Sequence, residues 1–542
     1  MFDTMKAAAR NRVLMLAVPP LLAIAVISPA RGAEGAKAAA PPDASAPEVK
    51  RVVYVPESVK AELREEIKKE VLDQAKRENW AAPNGIPDWL KRFKLKGDIR
   101  TRWERSLFGA GNANTGDFPD FNAINTGKPV NVASNLIDVA NDRFLNVDQN
   151  RNRPRLRARL GVDADVGQGF SAGLRLASGD GNTPVSTNQT LGGSPGNFSK
   201  YQFWLDRAFL RYDALQGALA AEIGRFENPF FSTDLLWDDD VNLDGLAIQV
   251  KAPPVGGVRP FFTAGAFPVF TSAFNFPPDR TDKFKSLDKW LYAAQIGADW
   301  KLDDSLGVKL GVAFYYFDKL EGRVSGRQCD TNLKDVFCDT DESRPAFAQK
   351  GNTYMPLRTP SDAALAAEAS NPDSTPQYQF FGLAARFREL TVTGRVDFKV
   401  APLLKLWVDA EYVRNVGFSK KQVTLVALNN RGSSADPFAL GPYQGGDTGY
   451  LGRLTLGSST QNTRWDWNAS LAYRHVESDA VVDAFADSDF GLGGTNLKGY
   501  IVSGALALAD GVWAGARWMS ADAIAGPTYR VDVLQIDLSA RF

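Results

Sequence analysis

Two charge groupings hold most of the chemistry this sequence offers. Arg100 and Arg102 lie two residues apart, Arg155, Arg157 and Arg159 repeat that spacing, and Arg175 follows. On a strand, residues two apart point to the same face, so each group forms a row of guanidinium side chains. Asp234, Asp238, Asp239 and Asp240 crowd into the stretch ENPFFSTDLLWDDDVN. A cationic wall facing an anionic one orients dipolar solutes and tunes ion selectivity. Mutual neutralisation without selectivity is the alternative.

Catalytic and metal chemistry find less support. His475 is the only histidine, no nucleophile motif surrounds it, and a Ser/His/Asp enzyme would have to use it. Cys329 and Cys338 suit one local disulfide in an oxidising compartment, and two thiols with one distant histidine cannot fill a zinc shell. Asp240, Asn242, Asp244 and Gly245 begin like a calcium loop, but the twelfth position is Lys251 where a bidentate Glu is needed. The expectation is a non-enzymatic protein without cofactor or metal.

The elements that carry these residues follow from composition and periodicity. The 542 residues balance 63 Lys+Arg against 63 Asp+Glu, which argues against a nucleic-acid partner, and 44% hydrophobic residues argue against disorder. Mean hydropathy is -0.24, too low for a bundle of membrane helices. Residues 1–33 place Lys6, Arg10 and Arg12 before the apolar run Val13 to Ile27 and then Pro29-Ala30-Arg31-Gly32-Ala33, the pattern of a secretory signal peptide. Residues 34–55 read as a flexible linker rich in Ala and Pro. In the segment 56–80, Val59, Leu63, Ile67, Val71 and Ala75 fall on one helical face, so an amphipathic helix is predicted from Pro56 to Glu78. Its narrow stripe suits either a short coiled coil or packing against its own chain.

From Phe93 to the terminus, 93–542, the period is two. Phe93, Leu95, Ile99, Thr101 and Trp103 alternate with Lys94, Lys96, Asp98, Arg100 and Arg102. Sixteen such strands are predicted, beginning near residues 93, 155, 170, 204, 218, 243, 259, 290, 306, 389, 404, 449, 465, 499, 512 and 530. Short turns alternate with long polar loops. An even strand count with that asymmetry predicts an all-β transmembrane protein, a 16-stranded antiparallel outer-membrane barrel whose apolar side chains face lipid and whose charges face a watery lumen. A soluble sandwich fits the loop asymmetry poorly. On this reading the apolar surface lies outside and replaces interior cores. Trp103, Trp290, Tyr500 and Trp518 near loop-side strand ends, and Trp300, Trp465 and Phe542 near turn-side ends, suit two interfacial girdles. The last strand, ending in Leu538, Ala540 and Phe542, has the form of the assembly signal read by barrel-assembly machinery.

Several stretches resemble the Putative porin family of proteobacteria, whose members carry an N-terminal helix before the barrel. They include VPESVKAELREEIKKEVLDQAKRENW, KLKGDIRTRWE, RPRLRARLGVDADV, TPVSTNQTLG, GRFENPFFSTDLLWDDDVNLDG and DSDFGLGGTNLKGY. The resemblance implies a passive diffusion channel for small hydrophilic solutes or ions, forming a homotrimer in outer-membrane lipid. It also implies that the third long loop, 227–242, folds inward and sets its aspartates across the lumen from the six arginines. The alternatives are a plugged or structural barrel tethered by its periplasmic helix, or an outer-membrane enzyme.

Overall fold

The computed structural model describes residues 65–67, 69–70, 89–127, 130–131, 143–194, 196–272, 287–324, 341–358, 378–402, 404–434 and 440–542. The expected signal peptide, the linker, Cys329 and Cys338 lie outside these residues. Residues 65–67 and 69–70, within the predicted helix, are helical. They fall in the first of the two units into which the chain divides, Met1–Gly85 and Ile86–Phe542.

Among the described residues the second unit contains sixteen long strands. They are β1 (Phe93–Phe108), β2 (Arg151–Gly167), β3 (Phe170–Ser178), β4 (Phe203–Ala214), β5 (Leu219–Glu227), β6 (Asn242–Lys251), β7 (Val258–Phe270) and β8 (Lys289–Lys301). The second eight are β9 (Leu306–Asp318), β10 (Arg388–Ala401), β11 (Leu404–Asn415), β12 (Thr448–Gly457), β13 (Trp467–Val476), β14 (Leu497–Ala509), β15 (Val512–Ala523) and β16 (Arg530–Arg541). Each pairs antiparallel with its chain neighbours, and β1 closes the sheet by pairing with β16, Arg100 standing opposite both Arg157 and Ser539. Closure leaves no sheet edge, the condition for a sheet to sit in lipid.

The alternation sorts side chains as the sequence predicts. On β8, Gln295 is 1% exposed and its neighbour Ile296 is 66% exposed, the reverse of a soluble protein. Leu174, Ile223, Leu310, Leu454, Leu471 and Ile536 share this outward exposure on other strands. Aromatic rings gather near the loop ends: Tyr473 meets Tyr500 at 5.0 Å, and His475 stacks on Tyr450 at 4.9 Å. His475 thus sits outward at a strand end. At the C-terminus, Phe542 accepts a hydrogen bond from Gly97 N at 2.8 Å and returns one at 3.0 Å. A Cβ on Gly97 would lie 2.6 Å from the Phe542 ring, so only glycine leaves room for it.

One expectation is overturned. The barrel does have an interior apolar core, at its loop side. Leu235, Leu236, Trp237, Tyr315, Phe387, Val481, Val482 and Phe490 are buried in one cluster together with parts of the long loops. The loops bring apolar residues that no strand pattern reveals, and inward wall residues near the strand ends are apolar to receive them. A buried polar network ties the same loops together. Asn352 donates to the Ser478 carbonyl at 2.6 Å and the Val481 carbonyl at 2.8 Å, while Asp479 accepts from Thr353 N and Tyr443 Oη at 2.9 and 2.8 Å.

Candidate functional site: the charged lumen

The register of the first two strands creates an electrostatic problem. Arg100 stands directly across from Arg157, and Arg102 across from Arg155. Like charges opposite one another destabilise a strand pair, so each guanidinium needs a carboxylate. Asp98 accepts from Arg157 Nε at 3.0 Å and Arg159 Nε at 2.7 Å. Glu104, buried, accepts from Arg153, from Arg155 at 3.1 Å and from Gln535 at 3.1 Å. Arg102 donates to Asp537 at 2.8 Å and to Asp489 at 3.0 Å. Arg175 pairs with Asp206. Arg100 differs: Nη2 donates to Asn188 Oδ1 at 2.6 Å, and its Nε has no partner among the described residues. The six predicted arginines therefore share the inner wall, most of them matched by acids of that wall.

The third long loop, 228–241, enters the barrel for local reasons. Asn228 Oδ1 accepts from Phe230 N at 3.0 Å and Thr233 Oγ1 from Leu235 N at 3.2 Å, two side-chain turns that bend the backbone. Leu235, Leu236 and Trp237 are then buried, Trp237 packing on Tyr315 at 5.7 Å and Phe485 at 5.6 Å. Two wall residues clip the loop. Gln295 of β8 accepts from Phe231 N and donates to its carbonyl, both at 2.8 Å, and Glu411 of β11 accepts from Thr233 Oγ1 at 2.6 Å.

The four predicted aspartates meet different fates. Asp234 accepts from Arg453 of β12 at 2.7 and 2.6 Å, with Arg517 of β15 at 3.6 Å. Burial would raise its carboxyl, but Arg453, Arg517 and Arg474 outweigh burial and hold it at about 2. Asp238 turns into the protein, accepting from Asp240 N and Ser488 N at 2.8 Å each. Burial, reinforced by Asp487 and Asp240, pushes its carboxyl upward. Asp240 touches the arginine row directly, at 3.3 Å from Arg159 Nη1, and accepts from Thr187 N at 3.1 Å. Asp239 alone is exposed to the lumen. Its carboxyl is raised to about 6, first by desolvation and then by Asp234, Asp487 and Asp240.

Sequence reasoning missed a second acidic loop and the cations it meets. Asp487 and Asp489, between β13 and β14, accept from Arg474 at 3.0 Å and from Arg102 at 3.0 Å. Burial opposes ionisation of Asp489, yet Arg102, Arg517, Arg155 and Arg100 together hold it well below the usual carboxylate range. Arg395, Arg453, Arg474 and Arg517 sit one to a strand, on β10, β12, β13 and β15. Neighbours around a barrel are tens of residues apart in sequence, so no local cluster announces them. The only available signal was the Asp487-Ser488-Asp489 alternation. All of these except the fully buried Arg474 line a cavity of about 630 Å³, with Arg100, Arg157, Arg395, Arg453 and Arg517 among its cations and Asp234, Asp239, Asp409 and Asp489 among its anions.

Residues 17–542 match the model of the family described as Putative porin. No curated protein sequence matches the chain. Solved structures similar to it include the outer membrane channel DcaP of Acinetobacter baumannii, 12% identical, covering 83% of this chain and 97% of that one at a TM-score of 0.37. Pseudomonas putida OprB is 10% identical over 83% of this chain and 94% of its own, at a TM-score of 0.42. Salmonella typhi OmpF is 9% identical over 83% and 97%, at 0.36. These likenesses are distant, and the family match along nearly the whole chain carries the assignment. With its strands, its turns and its inward loops all inside the matched span, the chain belongs to the Putative porin family.

Proposed function

We propose that the protein is an outer-membrane porin, a passive channel for small hydrophilic solutes or ions, in which the loop 228–241 narrows the lumen. The observation that carries this reading is the charged cavity inside a closed wall whose outward positions are apolar: a barrel inverted in this way suits lipid outside and water within. Asp239 and Arg100 are the groups left to meet a passing solute, because the other predicted charges already hold partners. The N-terminal helix lies in the periplasm after removal of a signal peptide, the barrels associate as a homotrimer, and Phe542 ends the strand read by barrel-assembly machinery. The protein has no catalytic role.

The loop-side core supports a second reading, a plugged barrel. Planar-bilayer recordings separate the two. Stable conductance steps are expected for a porin, whereas a folded barrel that stays electrically silent would establish the plug. In a salt gradient, the triple variant Arg155→Ala, Arg157→Ala, Arg159→Ala should shift the reversal potential toward cation preference. An unshifted potential would remove the arginine row from selectivity.

A further inference from the structure

A second cavity, of about 490 Å³, lies above the charged lumen at the loop ends of β1, β2, β14 and β15. Its size is that of a small-molecule site. One wall is aromatic: Tyr529 meets Phe118 at 5.8 Å and Phe108 at 6.3 Å. Beside them Lys350 projects its ammonium over the Tyr529 ring, 5.0 Å from the centroid, and donates to the Gly491 carbonyl. Tyr529 Oη donates to that same carbonyl at 2.9 Å, which fixes the ring under the amine.

Lys350 is held rigidly. Thr495 N donates to its carbonyl at 2.9 Å, and Gly494, at φ +89, brings the two loops together where a Cβ would overlap that carbonyl. Among the described residues no carboxylate forms an ion pair with it, and burial alone pushes its ammonium down to about 7. A buried ammonium with one neutral acceptor keeps unfilled donors. Both acids that line the cavity are committed or remote. Asp120 caps the helix Phe121–Thr126 by accepting from Ala123 N at 2.9 Å, and Asp117 is exposed at the rim. The rim also presents Arg151, the first of the inward arginines of β2, which continue through Arg153 and Arg155 to Arg157 in the lower cavity. Successive inward positions on a strand are about 7 Å apart, so Arg151 stands one step from Arg153, whose charge Glu104 already meets.

We propose that this cavity is a binding site for small amphipathic monoanions, carboxylates with an apolar or aromatic body, the carboxylate pairing with Lys350 and the body lying against Phe108, Phe118 and Tyr529. The role of such a site as a capture point ahead of the lumen rests on the channel reading above, but binding itself does not. Apolar surface alone would favour neutral solutes, and an exposed lysine would accept any anion; an enclosed amine beside aromatic rings selects for both properties at once.

Benzoate is the probe, with benzyl alcohol and acetate as its neutral and non-aromatic counterparts, titrated calorimetrically into the detergent-solubilised full chain. Benzoate should bind about ten-fold or more tightly than either counterpart, and Lys350→Gln should weaken it by about ten-fold. Equal binding of benzyl alcohol and benzoate, which needs no variant, would overturn the proposal, as would benzoate affinity within about two-fold in Lys350→Gln. A conducting channel that fails to bind benzoate sinks this site and leaves the porin standing. A silent barrel that binds it in a Lys350-dependent way does the opposite.

Discussion

The hairpin of β8 and β9 ends in two environments, and their contrast explains much of the molecule. At its turn end, Asp303 caps the hairpin by accepting from Ser305 N at 2.6 Å and Leu306 N at 2.8 Å, and Lys301 pairs with Asp304 in full solvent. At its loop end the inward residues Leu291, Tyr315 and Phe317 are buried under Trp237 and Phe485. Both ends obey the same two-residue period. Alternation therefore decides which side of the sheet a residue faces, but not what it meets there. At the turn end an inward side chain meets water and opposite charge; at the loop end it meets another segment of the chain.

That contrast predicts a gradient of mutational effects. The largest belongs to the loop-side core. Trp237→Ala should cost about 3–5 kcal/mol of loop packing while leaving the barrel closed. Limited proteolysis of the loops with an unchanged heat-modifiable barrel band checks it; resistance equal to the parent chain would mean the core is dispensable. A smaller loss is expected where the core meets the charged lumen. Arg453→Ala removes the principal partner of Asp234, leaving only Arg517 at 3.6 Å, and should cost up to about 3 kcal/mol by stranding a nearly buried carboxylate.

pH probes the same boundary. Asp234 is depressed from 3.8 to about 2, so its contribution is complete above the ordinary value and is lost as pH falls from about 4 through about 2. Loosened loops, read by Trp237 fluorescence, are expected in that window. Asp239 has the opposite sign. Raised to about 6, it is neutral below that pH, so cation preference should fall as pH drops through 6, a response that Asp239→Asn should abolish. At the turn end the expected effect is smallest: Lys301→Ala should leave the thermal midpoint unchanged, since exposed pairs contribute little. A measurable shift there would erase the distinction between the two ends.

How much of this was legible beforehand depended on whether the determining interaction was local. The strand starts at 93, 170, 306, 404, 512 and 530 agree with the observed elements because side-chain period and turn residues are properties of adjacent residues. The arginine rows of β1 and β2 were visible for the same reason, as was the aspartate run that became the inward loop. The inward apolar face formed by Leu291 and Tyr315 was not, since alternation alone reads it as lumen lining. The cationic partners of the loop were hidden because Arg453, Arg474 and Arg517 become neighbours only when strands far apart in sequence are set side by side.

The sequence by itself determined the strand count, the two faces of the wall and its outward apolar surface, because these follow from a period of two and from the composition of the turns. Only the tertiary structure decided which charge meets which. Pairing β1 with β2 sets Arg100 against Arg157 and Arg102 against Arg155 and obliges Asp98, Glu104 and Asp489 to compensate, and folding the loops inward leaves Asp239 facing water while Asp234, Asp238 and Asp240 are held by the protein. Those outcomes depend on distances between segments, which no local pattern encodes.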